Sequence, residues 1–353
     1  MRCGLAFLLF AALVAPAAAD TVIGVAAPLS GPPALLGEQI SGGATLAAAA
    51  QTPPVTLQVI DDGCTAEGGA AAANTFAAAK VTAVVGFLCT EAIEAALPIL
   101  KDAGIPVIAV GVRSDSLTDR RHKTKWPVWR LGPRADAERT AAGDILVREW
   151  RNVLFAIIDD GTIYGRELAE TLRAAAELAA LKPVFVDTFR PQLENQIALA
   201  GRLNRAGATH VFAGGDVEDI AVLGRDAAQL NAGLVIAGGE ALRAAPGPVP
   251  LAAGTLMVGL PEWAEVAPAD VVQRFEQAEA TADGYALPAY AAIEVAAAAA
   301  NEAAASGKPI AGVLTEKQFA TAIGPVDFDD KGDLTASPYR LFRFDGTKFI
   351  EVK

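Results

Sequence analysis

Short apolar runs alternate with longer helical stretches along most of this chain. Residues 22–27, 55–60 and 81–86 are rich in apolar and β-branched side chains, and stretches of helical composition lie between them. Such an alternation predicts a parallel sheet with helices on both faces, because each helix returns the chain to the same edge of the sheet. The alternation stops between residues 113 and 139 and then restarts. We therefore predict an α/β fold of two lobes, with a crossover near residues 131–133.

The C-terminal part follows a different pattern. Residues 270–282 and 288–305 have the composition of two helices with no strand between them. The second is rich in alanine, and Glu294 and Glu302 interrupt it, which is typical of a buried helix in a globular protein. Residues 324–328 and the alternating stretch at 339–352 predict a return to antiparallel strands.

The first twenty residues have the pattern of an export signal. Arg2 is followed by an apolar run at 5–14 and by three alanines that end at Ala19, before Asp20. A basic start, a short apolar core and small residues at the cleavage position define a secretory signal, and this core is too short to span a bilayer. We predict cleavage after Ala19, the alternative being a buried N-terminal helix. Cys3 lies too early to be the cysteine of a lipoprotein.

Charge and cysteine content narrow the class of protein further. The formal net charge is −12, which argues against a nucleic-acid partner. Cys64 and Cys89 remain after the predicted cleavage. An even cysteine count in an oxidising compartment predicts a disulfide, the alternative being two buried free thiols.

Motifs for catalysis or metal binding are missing from the sequence. The two histidines, His122 and His210, have no second metal-type ligand nearby in the sequence, and there is no nucleophile elbow, P-loop or dinucleotide fingerprint. The stretch 327–332 faintly matches a calcium loop, but Pro338 stands where that loop needs glutamate, so a polar hairpin turn is the better interpretation. The basic run at 120–125 could bind an anion or could be a solvated loop. We expect no cofactor and no metal, and a binding protein rather than an enzyme.

Several blocks of sequence, in order, resemble one known family. They are VIGVAAPLSGPPALLGEQISGGATLA, DDGCTAEGGAAAANTFAAAKVTAVVGFLCTEA, IIDDGTIYGRELAETL, VFAGGDVEDI, AGGEAL and IGPVDFDDKGDL. This set resembles the leucine/isoleucine/valine-binding proteins of bacterial ABC importers, and the match runs nearly the full length of the mature chain.

The resemblance implies a type I periplasmic binding protein, with two doubly wound parallel-sheet lobes joined by three crossovers. Residues 1–19 would be the signal peptide. Residues 20–131 and 262–325 would form the first lobe. Residues 132–261 and 326–353 would form the second lobe and the hinge return. The implied compartment is the periplasm.

Three residues match positions at which the family binds its ligand. Thr90 matches a hydroxyl that follows the second cysteine, at a helix start suited to a carboxylate; the alternative is that it only caps its helix. Glu240 matches the acidic residue that receives the α-ammonium of the ligand. Tyr164 matches a tyrosine whose ring could cover the ligand, the alternative being that it packs the helix start at Gly165.

Three departures from the family pattern concern the character of the ligand. Leu36 and Asp216 stand where aromatic residues are common, and Arg113-Ser114 stand where a small residue and a threonine are usual. Arg113 and Asp216 could pair across the cleft as a latch. Alternatively, Arg113 could clamp a ligand carboxylate while Asp216 meets a polar or cationic group. Both readings favour a polar amino acid or a small amine-bearing acid over leucine, isoleucine or valine.

The resemblance implies a monomeric receptor that carries a small solute to an ABC permease in the inner membrane. Two alternatives remain open. The chain could be a sensory or regulatory binding module of the same fold, or its solute could be something other than an amino acid, such as an aromatic acid or an amide.

Overall fold

Two mainly parallel sheets organise the chain. The computed structural model describes residues 21–353, so the signal peptide predicted at 1–19 lies outside the described residues. The strands are β1 Val22–Ala27, β2 Thr56–Asp61, β3 Ala83–Gly86, β4 Val107–Ala109, β5 Val128–Arg130, β6 Phe155–Asp159, β7 Phe185–Thr188, β8 His210–Gly214, β9 Val235–Gly238, β10 Leu256–Gly259, β11 Phe319–Thr321, β12 Gly324–Val326, β13 Arg340–Phe344 and β14 Phe349–Glu351.

Helices connect most of these strands. They are α1 Ala34–Ala50, α2 Ala66–Ala79, α3 Thr90–Asp102, α4 Ser116–Asp119, α5 Arg121–Thr124, α6 Ala137–Glu149, α7 Ile163–Leu178, α8 Ile197–Arg205, α9 Val217–Gln229, α10 Trp263–Val266, α11 Ala269–Gln277, α12 Ala286–Ser306 and α13 Ile310–Glu316, with a 3₁₀ turn at Glu240–Arg243. Among the described residues, no helix combines the length and apolar character that crossing a membrane requires.

The two sheets share one strand order. The first sheet runs β2-β1-β3-β4-β5 and is parallel, while the second runs β7-β6-β8-β9-β10 and is then extended by β13 and β14. β13 pairs antiparallel with both β10 and β14, as the alternating C-terminal sequence predicts. Each lobe is thus doubly wound with the same connectivity, which confirms the predicted α/β fold.

Separate hydrophobic cores cover both faces of each sheet. The chain crosses between the lobes three times, between β5 and α6, between β10 and α10, and before β13. The segment from residue 326, expected in the second lobe, is divided: Val326 and Phe328 pack in the core of the first lobe, whereas β13 and β14 join the second sheet.

Close packing of α1 against α12 builds the largest core of the first lobe. α12 is the alanine-rich helix predicted from sequence, and most of its residues are buried. Gly43 lies where the two helices meet, and a Cβ there would collide with the backbone carbonyl of Ala286. Small side chains on both helices therefore allow their backbones to approach closely, and Gly43 is required at the contact.

The alternation of sequence does not predict β5. Its three residues, Val128–Arg130, follow Pro127 in a basic segment and include a buried arginine. β5 forms because its backbone completes the edge of the first sheet beside β4, a tertiary interaction that local pattern does not report.

A disulfide joins Cys64 to Cys89, with their Cα atoms 5.2 Å apart. It ties the loop after β2 to the residue that precedes α3. The predicted pairing is confirmed.

Removing this disulfide should lower the stability of the protein. Replacing Cys64 and Cys89 together by serine should reduce the free energy of unfolding by about 3 kcal/mol, because the bridge restricts the unfolded chain over a loop of this length. Urea unfolding of the mature protein measures the difference. Thiol titration of the denatured, unreduced wild-type protein tests whether the disulfide is present. Two reactive thiols would contradict it.

Candidate functional site

The sequence-predicted binding residues all follow the carboxyl ends of strands. Parallel sheets of this kind bind ligands at that edge. In order along the chain these residues are Leu36 after β1, Thr90 after β3, Arg113 and Ser114 after β4, Tyr164 after β6, Asp216 after β8 and Glu240 after β9. The fold therefore presents them on the facing edges of the two lobes.

One cavity of about 280 Å³ lies between the lobes and contains two of these residues. Arg113 enters it from the loop after β4 in the first lobe, and Glu240 from the turn after β9 in the second. Its apolar walls include Leu131, Trp263 and Tyr285. We call this space the interlobe cavity. Its other charged lining residues are Asp283 and the ion pair Arg243–Glu262, and the rest of the lining is largely apolar.

A buried hydrogen-bond cluster fixes the turn that carries Glu240. Glu138 Oε1 accepts the backbone N–H of Glu240 at 2.7 Å and the hydroxyl of Tyr164 at 2.6 Å. The Tyr164 oxygen in turn accepts the N–H of Ala241 at 3.2 Å. A Cβ at Gly239 would collide with both the Glu138 carboxylate and the Tyr164 hydroxyl, so glycine is needed there for this approach.

Electrostatics in this cluster reflect its burial. Burial raises the pKa of Glu138, and the nearby Glu240 carboxylate raises it further, while the bonds from Tyr164 and the Glu240 N–H oppose the rise. Burial, together with the charge of Glu138, also raises the pKa of Tyr164. Burial and the charge of Glu240 also raise the pKa of Tyr339, whereas the positive charge of Arg113 lowers it. A positive group in the cavity would therefore relieve the repulsion between the two carboxylates.

Tyr164 is fixed in the second lobe in this structure. Its hydroxyl is held by Glu138, and its ring packs at the margin of the core formed by α6 and α7. This arrangement matches the packing alternative, and a covering role for the ring stays a prediction.

Thr90, Leu36 and Ser114 lie on the first lobe. Cys89 occupies the N-cap position of α3 and Thr90 is its first helical residue, so Thr90 is not the cap. Leu36 lies in the first turn of α1 with 36% of its surface exposed. Ser114 Oγ lies 3.0 Å from Ser116 Oγ. Their roles in binding stay predictions.

Asp216 lies apart from Arg113. It lines a different cavity, of about 820 Å³, on the second lobe beside α9. Within residues 21–353 no ion pair joins Asp216 to Arg113, so the latch is not formed in this structure.

A buried ionic network stands beside the first crossover. Arg130 is fully buried and donates to Asp333 Oδ1 from Nε at 2.8 Å and from a terminal nitrogen at 2.6 Å. Asp333 Oδ2 accepts from Thr118 at 2.8 Å and from Arg134 at 3.0 Å. Arg134, on the crossover itself, also binds Asp136 at 2.9 Å. The network ties β5 and the 329–333 turn to the start of the second lobe.

Sequence reasoning missed Glu138, Trp263 and Tyr285. Glu138 lies in the segment where the alternation is interrupted, and only its position in the first turn of a helix distinguishes it. Trp263 and Tyr285 follow the second crossover, so nothing local connects them to Arg113. Trp263 and Tyr285 give the cavity aromatic walls. The sequence had indicated a loss of aromatic residues, because Leu36 and Asp216 stand where the family commonly has them.

Comparison with known proteins gives one family. A family model described as periplasmic binding protein matches residues 21–348. The Leu/Ile/Val-binding protein homolog 3 of Brucella melitensis biotype 1 is 27% identical over 351 residues, which cover 95% of this chain and 94% of that protein.

Solved structures share the fold. A substrate-binding protein of an ABC transporter from Desulfitobacterium hafniense, in complex with Leu, has a TM-score of 0.66 at 20% identity, covering 95% of this chain and 100% of that one. A solute-binding protein from R. palustris, in complex with benzoate, has a TM-score of 0.57 at 20% identity, covering 95% and 96%.

Proposed function

This chain belongs to the periplasmic binding protein family, and from that premise we propose that it is the solute receptor of an ABC importer. It binds an amino acid or a related small amine-bearing acid between its lobes. It then delivers the solute to a permease in the inner membrane. The observation that carries the proposal is that Arg113 and Glu240, from opposite lobes, both line the interlobe cavity.

Arg113 and Glu240 carry charges that are complementary to the carboxylate and the ammonium of an amino acid. Arg113 offers a guanidinium, which binds a carboxylate through two parallel N–H donors. Glu240 offers a carboxylate to an ammonium, which would be costly to bury without an anionic partner. Because the two residues belong to different lobes, one zwitterion can contact both, and its binding favours the closed arrangement of the lobes.

The walls of the cavity define what the rest of the ligand can be. Leu131, Trp263 and Tyr285 present apolar surface, which suits an aliphatic or aromatic portion of the solute. The small volume of about 280 Å³ suits a compact ligand. We propose a small amine-bearing acid whose polar ends meet Arg113 and Glu240 and whose body lies against these walls.

A thermal-shift panel tests the proposal. Amino acids with polar, aliphatic and aromatic side chains are each added to the mature protein at millimolar concentration. A micromolar ligand present at about 1,000 times its Kd stabilises the folded state by about 4 kcal/mol, which raises the melting temperature measurably. We expect at least one amino acid to do so.

Matched derivatives separate this proposal from its alternatives. The N-acetyl form of the best ligand lacks the ammonium and the amide form lacks the carboxylate, so both should lose the stabilisation. Stabilisation by benzoate but by no amino acid would contradict an amino-acid receptor. It would favour an aromatic-acid receptor if benzoate also shifts the indole signal of Trp263, which lines the interlobe cavity. Stabilisation by none of these compounds would contradict the proposed ligand class.

The family to which the chain belongs also indicates its compartment and its partner. We propose that residues 1–19 direct export and are cleaved after Ala19, and that the mature protein works as a monomer in the periplasm. The closed form then presents both lobes to the permease. A sensory role would use the same ligand site with a different partner.

A further inference from the structure

A second cavity, remote from the interlobe cavity, lies at the edge of the first sheet. It has a volume of about 680 Å³ and is formed between α5, β5 and α13. Its lining includes the cationic side chains Arg121 and Lys125, the rings of Trp126 and Trp129, and the small α13 residues Ala311 and Gly312. We call it the edge groove. It belongs to the basic segment at 120–125 that the solute-binding function does not use.

Positive charge in the edge groove exceeds negative charge. The two carboxylates that line it are Asp119 and Asp330. Asp119 binds Arg134 at 3.1 Å and Lys331 at 2.9 Å, and these partners lower its pKa to about 2. Asp119 and Lys331 therefore satisfy each other. In the lining this leaves Asp330 opposite Lys125 and Arg121, with His122 beside them, and the charge of Arg121 also faces Asp329 and Asp333 outside the lining. This surplus occurs in a chain whose formal net charge is −12.

A buried N–H donor in the wall of the groove has no acceptor. Trp129 is 1% exposed, and its Nε1 has no hydrogen-bond partner within the described part of the chain. The guanidinium of Arg121 lies 4.5 Å from the centre of the same ring. Nε1 is too deeply buried for a molecule in the groove to reach, so the groove offers a ligand the Arg121 cation and the neighbouring ring surface rather than this donor.

The backbone edge of the groove is already occupied. The N–H of Arg130 donates to the carbonyl of Gly332 at 2.7 Å, and Arg121 donates to the carbonyl of Val128 at 2.9 Å. β5 therefore does not offer a free ladder for an added peptide strand. What the groove does offer is side chains, namely aromatic surface and cations.

We propose that the edge groove is a second binding site, for a planar aromatic carboxylate. The ring of such a ligand lies against Trp126 and the small residues of α13, where flat apolar surface is available. Its carboxylate meets Lys125 and Arg121. The proposal is independent of what the interlobe cavity binds.

The four tryptophans of the chain provide the test. Trp126 and Trp129 line the edge groove, Trp263 lines the interlobe cavity and Trp150 lies in the core of the second lobe. Their indole N–H signals in a proton–nitrogen NMR spectrum of the mature protein are assigned with single tryptophan-to-phenylalanine variants. Benzoate is titrated to about 20 mM, a range that detects a millimolar Kd. We expect saturable shifts of the Trp126 and Trp129 signals, with Trp150 unmoved.

Variants and a second probe decide the outcome. Lys125→Glu should raise the Kd for benzoate by at least about tenfold. Lys182→Glu, the same charge change at an exposed position of the other lobe, should leave it within about twofold of wild type. Cyclohexanecarboxylate, which has the charge without the flat ring, should bind more weakly than benzoate.

Four results would overturn the proposal. They are no shift at the highest concentration, a shift confined to Trp263, an equal Kd for Lys125→Glu and wild type, and equal binding of both carboxylates. A shift confined to Trp263 would place benzoate in the interlobe cavity, which bears on the proposed solute and not on the edge groove.

Discussion

Replacing Asp333 by asparagine is expected to lower the free energy of unfolding by about 3–5 kcal/mol, because it leaves a buried charge without its partner. Arg130 is fully buried, and both Asp333 oxygens are occupied by Arg130, Thr118 and Arg134. Asparagine keeps the size of the side chain but removes the negative charge and replaces one acceptor by a donor. Urea unfolding at neutral pH, compared with wild type, measures the loss.

A matched exposed pair controls for the loss of charge alone. Glu167 binds Arg139 at 2.7 Å on the surface of α6 and α7, where 54% of the Glu167 side chain is exposed. Glu167→Gln should change the free energy of unfolding by no more than about 1 kcal/mol, because solvent screens the pair. If Asp333→Asn costs no more than this control, the network beside the first crossover is not a stabilising feature.

Replacing Glu240 by glutamine is expected to weaken amino-acid binding by about 2–5 kcal/mol, the range for removing one member of a buried charge pair. Such a loss corresponds to a Kd raised roughly thirtyfold to several thousandfold. Glutamine retains the shape, and its amide oxygen can still accept from the N–H of Leu260, which now donates to Glu240 at 3.3 Å. The measurement is a calorimetric titration with the amino acid that stabilises wild type most.

Glu262 provides the control for this variant. It lines the same interlobe cavity but is paired with Arg243, and over half of its side chain is exposed. Glu262→Gln should therefore change the Kd much less than Glu240→Gln. Equal affinities for Glu240→Gln and wild type would remove Glu240 from the ligand site, whereas equal losses in both variants would mean that only the overall charge of the cavity matters.

The parts of the site that sequence predicts are those that follow strands. Arg113 and Glu240 could be placed at the carboxyl ends of β4 and β9, because in parallel sheets those ends meet at one edge. Glu138 could not be placed, since its partners, the Glu240 N–H and the Tyr164 hydroxyl, are brought to it only when α6 packs on α7. Of the two alternatives for Arg113 and Asp216, the latch is not formed in this structure, because the two residues line different cavities, and the binding of separate ligand groups stays a prediction.

The turn at residues 327–333 also has a part that sequence predicts and a part that it does not. The 327–333 segment has the local sequence of a polar turn, and it forms one, with the backbone N–H groups of Lys331 and Asp333 donating to Asp329. Nothing in that turn indicates that Asp333 is a buried counter-ion. Its partner Arg130 is 203 residues away in sequence, and β5, which carries Arg130, forms only as the edge of a sheet.

Sequence alone determined the α/β class, the two lobes, the disulfide, and the strand ends that carry Arg113 and Glu240. These depend on period, turn residues and cysteine number, which are local or countable properties of the chain. Tertiary structure alone decided which of those residues share a cavity, which aromatic rings wall it, and where Arg130 finds its counter-ion. Such properties arise from contacts between distant segments, and burial gives those contacts their energetic weight, because a charge or N–H group removed from water must be paired within the protein.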